Sequence, residues 1–200
     1  MREKKLKKKL PVLALALFCA LSAATASGAE NEPFPAPNFA LKDFRTGKVV
    51  NLGDFRGKPV VINFCYAGCP PCRWEAPSLR KLAKKHPEIV VLAISSSHLD
   101  DNGAFAAFVS KYRWDFPVLL DDDLIEKTSE EWGKYSVGKT TNAFDEGMAY
   151  PTTFLINRDG MVVGKIVNYI DWETLEMKDV VKHLLNGKLI WYYRYLRRKK

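Results

Sequence analysis

Val60-Val61-Ile62-Asn63-Phe64-Cys65-Tyr66-Ala67-Gly68-Cys69-Pro70-Pro71-Cys72-Arg73-Trp74-Glu75-Ala76-Pro77 is the stretch from which the rest of the chain can be read. Its first part is a continuous apolar run of the kind a strand buried on both faces requires. From Cys72 to His86, the spacing of Trp74, Leu79, Leu82 and Ala83 among Lys and Arg predicts an amphipathic helix bent at Pro77. Two cysteines with two residues between them are weak evidence alone. Held between a buried strand and a helix, they read as a redox pair.

Residues i and i+3 of a first helical turn lie near the ~5.5 Å Cα separation that a disulfide prefers, so such a pair opens and closes with little backbone movement. Unpaired N–H groups and the positive end of the helix dipole stabilise a thiolate there, making Cys69 the expected nucleophile, with a pKa below the ~8.5 of a free thiol. Cys72, one turn further in, is expected to be less exposed and to resolve the mixed disulfide by attacking Cys69. Pro70 and Pro71 carry no N–H, which leaves the Cys72 amide as the main local donor to the Cys69 sulfur. Moderate thiolate stabilisation of this kind favours a reductase over an oxidase. No cofactor and no metal are expected.

Upstream, Arg2, Lys4, Lys5, Lys7, Lys8 and Lys9 precede the apolar run 10–21, and Ala24-Thr25-Ala26 supplies small residues for processing. Residues 1–26 therefore read as an export signal cleaved after Ala26, with an uncleaved anchor as the rival. The apolar stretch 10–26 falls short of the ~20 residues of a spanning helix, which favours cleavage. Residues 27–35 read as a linker, 36–187 as one domain and 188–200 as a basic aromatic tail. Within the domain, 39–41 and 49–52 predict a leading β-hairpin, 89–94 and 116–120 buried strands, 104–112 a helix and 124–135 a further helical stretch. Residues 136–149 show no sustained period and read as a long loop. Residues 153–156 and 161–167 predict a hairpin around Asn157 to Gly160, and 172–185 a helix with Asp171 as N-cap and Gly187 just past its end. Strands alternating with helices indicate an α/β class with a partly parallel sheet.

The 200 residues carry a net charge of +8, but without residues 1–26 there are 25 Lys and Arg against 22 Asp and Glu, or +3. A body of that charge behind an export signal excludes nucleic acid as a partner. The tail interleaves Arg194, Arg197, Arg198, Lys199 and Lys200 with Trp191, Tyr192, Tyr193 and Tyr195. It reads as a solvated helix end, with contact to an anionic membrane surface as the alternative.

The stretch 60–77, with Ala36-Pro37-Asn38-Phe39 upstream and Tyr150-Pro151-Thr152-Thr153-Phe154-Leu155-Ile156 before Asp159-Gly160, resembles the TlpA/ResA/DsbE-like thioredoxin family over roughly residues 36–186. The resemblance implies a thioredoxin-like fold, with a central mixed sheet flanked by helices and an N-terminal β-hairpin extension. It implies an extracytoplasmic, periplasmic thiol-disulfide oxidoreductase that reduces disulfides in partner proteins of cytochrome c maturation or metal-site assembly. A membrane-linked thiol electron donor would recycle it. Cys69 and Cys72 would form the redox disulfide. Pro151 would be a cis-proline packed against it, and Tyr150, with Pro70 and Pro71, would meet the substrate. An ordinary trans proline opening an edge strand fits the local residues around Pro151 equally well. Glu75 is either a buried carboxyl that shuttles a proton to Cys72 or a first-turn acid favouring the helix dipole. Asn63 occupies the strand position where cytoplasmic thioredoxins carry a buried Asp, and reads as a structural hydrogen-bonding residue.

Cys65 departs from the family, which usually has Trp there. It reads as a small buried hydrophobe, or as a third thiol that exchanges with Cys69 or joins Cys69 and Cys72 around Cu(I). That second view is the basis of a metallochaperone alternative. A peroxiredoxin-like thiol peroxidase is the weaker alternative, because Ile62 and Tyr66 stand where its Pro-x-x-x-Thr/Ser-x-x-Cys setting needs Pro and Thr or Ser. A zinc site lacks a second cysteine pair, and His86, His98 and His183 have no ligand-like spacing.

Overall fold

All six residues of Val60–Cys65 are buried, and this strand runs through the middle of a mixed sheet. The structure is a computed structural model that describes residues 32–96, 102–121, 132, 149–189 and 192–195. Its strands are β1 Phe34–Pro35, β2 Ala40–Asp43, β3 Val49–Asn51, β4 Val60–Cys65, β5 Val90–Ser96, β6 Val118–Asp121, β7 Thr152–Ile156, β8 Met161–Val167 and β9 Tyr192–Tyr195, and its helices α1 Pro70–Lys85, α2 Asn102–Tyr112 and α3 Leu175–Leu185. The sheet order is β1-β8-β7-β4-β5-β6-β2-β3, with β9 also on β8. β4 pairs in parallel with β5, from Val60 opposite Val90 to Cys65 opposite Ser95. It pairs antiparallel with β7, from Val60 opposite Ile156 to Phe64 opposite Thr152.

Period-two alternation along β4 and β5 sorts the core into two layers. Val61, Cys65, Val91 and Ala93 join one buried cluster with Ala76, Leu79 and Leu82 of α1, Phe105, Phe108 and Val109 of α2, and Met177, Val181 and Leu184 of α3. Val60, Ile62, Phe64, Leu92 and Ile94 join the other with Phe39, Leu41, Leu52 and Trp132. Asn63, between Val61 and Cys65, thus falls on the face that carries α1. No helix among the described residues is long and apolar enough to cross a membrane. The expected signal at 1–26, the helix at 124–135 apart from Trp132, and the loop at 136–149 apart from Ala149 lie outside the described residues.

Several expectations need correction. Phe34 and Pro35, assigned to a linker, pair with Val162 and Met161 of β8. Pro is accepted there because β1 lies at the sheet edge. Tyr192–Tyr195 in the tail is not a helix end; it lies parallel to β8 with Tyr192 opposite Gly164 and Tyr195 opposite Val167. A Cβ on Gly164 would stand 2.9 Å from Leu155 Cδ1 and 3.2 Å from the Tyr192 carbonyl oxygen, so glycine there lets β9 approach. The last helix starts three residues later than read, at Leu175, with the Thr174 hydroxyl accepting from the Met177 amide as its cap. It ends at Leu185 as read, and Gly187 just beyond it, with a φ of +65°, turns the chain so that the Lys188 and Leu189 amides reach the His183 carbonyl.

Candidate active site

The apolar β4 ends at Cys65, and four residues later the chain enters α1 with Cys69 as N-cap and Pro70 and Pro71 in the first turn. Proline suits those positions because the first helical N–H groups have no partner within the helix. Cys69 and Cys72 form a disulfide with Cα atoms 5.3 Å apart. The Cys72 amide donates to Cys69 Sγ at 3.2 Å, the local donor expected from the proline pair. The turn before the helix is tied down by the Cys69 amide on the Tyr66 carbonyl and by Arg73 Nε on the Ala67 carbonyl at 2.7 Å.

The expected ranking of the two cysteines by burial is not found: each is 2% exposed. In the closed disulfide both cysteines belong to the cluster under α1, against which Tyr66 and Tyr150 pack. Those two rings stand edge to face with centroids 5.2 Å apart, and a Cβ on Gly68 would meet the Tyr66 ring at 3.0 Å. What distinguishes Cys69 is its place at the helix mouth, where its sulfur accepts an amide hydrogen bond.

The Tyr150–Pro151 bond is cis. The Pro151 carbonyl accepts from the Asn168 amide at 2.8 Å, which joins the proline to the residue following β8. Next along the chain, Tyr169 stands edge-on to Trp74 of α1 with centroids 6.2 Å apart, and Trp74 is 63% exposed.

Glu75 is buried and is not in the first turn of α1, because the helix begins at Pro70. The dipole explanation for this acid therefore lapses. Trp172 Nε1 donates to Glu75 Oε1 at 2.9 Å and Asn63 Nδ2 approaches the same oxygen at 3.4 Å, while Asn63 also donates to Thr153 Oγ1 at 2.8 Å. Glu75 Oε2 has no hydrogen-bond partner among the described residues. Burial pushes the Glu75 carboxyl up to about 8, while the nearby polar side chains of Trp172, Asn63 and Thr153 act in the opposite direction. Cys65 is buried at the end of β4 and forms no disulfide with the other described cysteines. No group of three His, Cys, Asp or Glu side chains among the described residues is arranged to hold a metal ion. A cavity of about 300 Å³ lined by Arg56, Lys58, Val60 and Asn157 opens at the start of β4, the end of the strand away from the cysteines, and carries none of this chemistry.

Sequence reading missed Trp172 and Thr153 as partners of Glu75. A buried tryptophan needs a partner for its N–H, which is a signal, but the partner's identity is not local information. Residues 34–165 match the AhpC/TSA family. The chain is 37% identical over 141 residues to the thiol-disulfide oxidoreductase ResA of Bacillus cereus, covering 70% of this chain and 72% of the relative. Among solved structures it resembles a putative thiol:disulfide interchange protein DsbE from Chlorobium tepidum, with 25% identity, 79% of this chain and 97% of that chain covered, and a TM-score of 0.58. It also resembles a secreted disulfide oxidoreductase of Mycobacterium tuberculosis, with 26% identity, 74% and 95% coverage and a TM-score of 0.54.

Proposed function

The chain belongs to the AhpC/TSA family and is a thiol-disulfide oxidoreductase, and from that premise we propose that it works outside the cytoplasm as a reductase of disulfides in partner proteins, using Cys69 and Cys72. The Cys69 thiolate attacks a sulfur of the substrate disulfide, and that bond breaks to release one substrate thiolate and leave a mixed disulfide. Glu75 accepts the Cys72 proton, and the Cys72 sulfur attacks Cys69 Sγ, expelling the second substrate thiolate. The substrate has gained two electrons and the enzyme ends with the closed Cys69–Cys72 disulfide. A dithiol donor, membrane-linked in this reading, must reopen that bond.

The observation that carries this reading is the disulfide at the mouth of α1, with the Cys72 amide on Cys69 Sγ and a carboxyl of pKa about 8 one turn further in. A base of that strength matches a thiol of ordinary pKa, as efficient proton transfer requires. In this reading Tyr150 and Pro151 offer backbone to an incoming substrate strand, with Pro70 and Pro71 on the helix side. The basic block and apolar run in residues 1–26 support export, and partners in cytochrome c maturation or metal-site assembly fit the same reading.

The test is a trap. Cys72→Ala should hold partner proteins on Cys69 as mixed disulfides that mass spectrometry identifies, and insulin reduction should be lost in Cys69→Ala. Adducts that persist in the Cys69→Ala, Cys72→Ala double variant would move the chemistry to Cys65. Stoichiometric Cu(I) retention without disulfide reduction, or rapid peroxide consumption, would replace this reading with a metal carrier or a peroxidase.

A further inference from the structure

The segment between β8 and α3 is held to α1 by hydrogen bonds and an ion pair. The Trp172 amide donates to Ser78 Oγ at 3.3 Å, Trp172 Nε1 donates to Glu75 Oε1 at 2.9 Å, and Lys85 Nζ meets both carboxylate oxygens of Glu173 at 2.9 Å. Ser78 Oγ in turn donates to the Glu75 carbonyl at 3.0 Å. One serine thus holds the backbone of both residues whose side chains meet. The Glu75 carboxyl is bonded asymmetrically: Oε1 receives the indole N–H and lies within reach of Asn63, while Oε2 is buried without a hydrogen bond among the described residues. A protonated carboxyl places its hydrogen on the oxygen that is not already accepting, since a hydrogen on the accepting oxygen would compete with the incoming donor.

We propose that Trp172 is a positioning residue for proton transfer: its indole N–H fixes Glu75 through Oε1 and leaves Oε2 as the oxygen that takes the proton from Cys72 and gives it back. The proposal rests on the reading of Glu75 as the base that serves Cys72. In the oxidising half of the cycle the Cys72 thiol proton passes to Oε2 as its sulfur bonds to Cys69, and when a donor dithiol reopens the disulfide the proton returns from Oε2 to the leaving Cys72 sulfur. No electron moves through Trp172.

Among the described residues, few groups face Glu75. From β4 and β7 come the neutral Asn63 and Thr153, and its own helix carries Cys69 and Cys72. The segment after β8 carries the titratable Tyr169 and Asp171, and Tyr169 is raised by burial, by Asp171 and by Glu75. A neutral N–H donor favours the ionised carboxyl, so removing the indole donor must raise the pH at which Glu75 ionises.

The experiment follows the Glu75 carboxyl carbon and the Trp172 indole N–H by NMR across pH in the full chain, together with the pH dependence of disulfide reduction, in wild type, Trp172→Phe and Glu75→Gln. In the wild type the indole resonance should shift with the same midpoint as Glu75, a measurement that needs no variant to fold. In Trp172→Phe the Glu75 midpoint and the inflection in the rate profile should both move upward by about one pH unit. An indole resonance that stays flat through the Glu75 titration, or a folded Trp172→Phe protein with an unmoved midpoint, overturns the proposal. If Glu75→Gln keeps the wild-type rate profile while the indole still follows Glu75, the reading of Glu75 as the base has failed, and the role assigned to Oε2 fails with it although the Trp172 contact stands.

Discussion

The Cys72 amide lies 3.2 Å from Cys69 Sγ, and the two residues between them are prolines that offer no N–H of their own. In the proposed mechanism this arrangement would offer a Cys69 thiolate a single local backbone donor, which bears on which way the couple drives electrons.

Pro71→Ala restores an amide in the first turn of α1. The added donor should lower the Cys69 pKa and make the protein a better oxidant, by about 30 mV for each ~1.4 kcal/mol gained by the thiolate. Equilibration with a glutathione buffer reads the potential directly; an unchanged or more reducing value would mean that the prolines do not limit thiolate stabilisation.

Glu75 couples folding to pH. Its carboxyl is raised by burial from 4.5 to about 8, so the folded protein binds the proton more tightly than the unfolded chain between those values. The stabilisation is complete below about pH 4.5 and is lost as pH rises through about 8, amounting to on the order of 5 kcal/mol for this group. Glu75→Gln should flatten that stretch of the stability curve in urea denaturation of the oxidised protein. A variant that falls with pH as steeply as wild type would sink the assignment.

Tyr66 packs against the buried cluster that holds both cysteines, with its ring close to Gly68 and edge-on to Tyr150. Since both cysteines are buried when the disulfide is closed, access should limit the rate of attack by a small dithiol. Stopped-flow reduction with dithiothreitol should be severalfold faster in Tyr66→Ala while the equilibrium potential stays put. Equal rates would place the barrier elsewhere.

Gly164→Val would push a branched side chain into Leu155 Cδ1 and the Tyr192 carbonyl. Overpacking of this kind destabilises by about 1–3 kcal/mol. Hydrogen exchange should show faster exchange of the Tyr192–Tyr195 amides, with β5 unchanged. Unaltered protection in β9 would show that it tolerates the wider strand.

Much of the sheet was legible because its signals are local. The buried run at β4, the turn at Asn157 to Gly160 and the glycine after α3 each act within a few residues. Where reading failed, a distant partner had overruled a local pattern. Asp171 looks like a helix cap, yet the chain delays α3 to Thr174 because Trp172 is drawn to Ser78 and Glu75 on α1. Tyr192–Tyr195 looked like the end of a charged helix because nothing in the tail reveals that β8 has an open edge opposite Gly164.

By itself the sequence determined that two cysteines stand at the junction of a buried strand and a helix, with prolines between them and an acid three residues on. Those are consequences of spacing and residue type, which the chain carries in one dimension. Only the tertiary structure decided that the acid is buried, that its two oxygens are unlike, and that both sulfurs are covered when joined. Desolvation and hydrogen bonding depend on which atoms surround a group, and for Glu75 those atoms come from β4, β7 and the segment before α3, as far as 97 residues away in the chain.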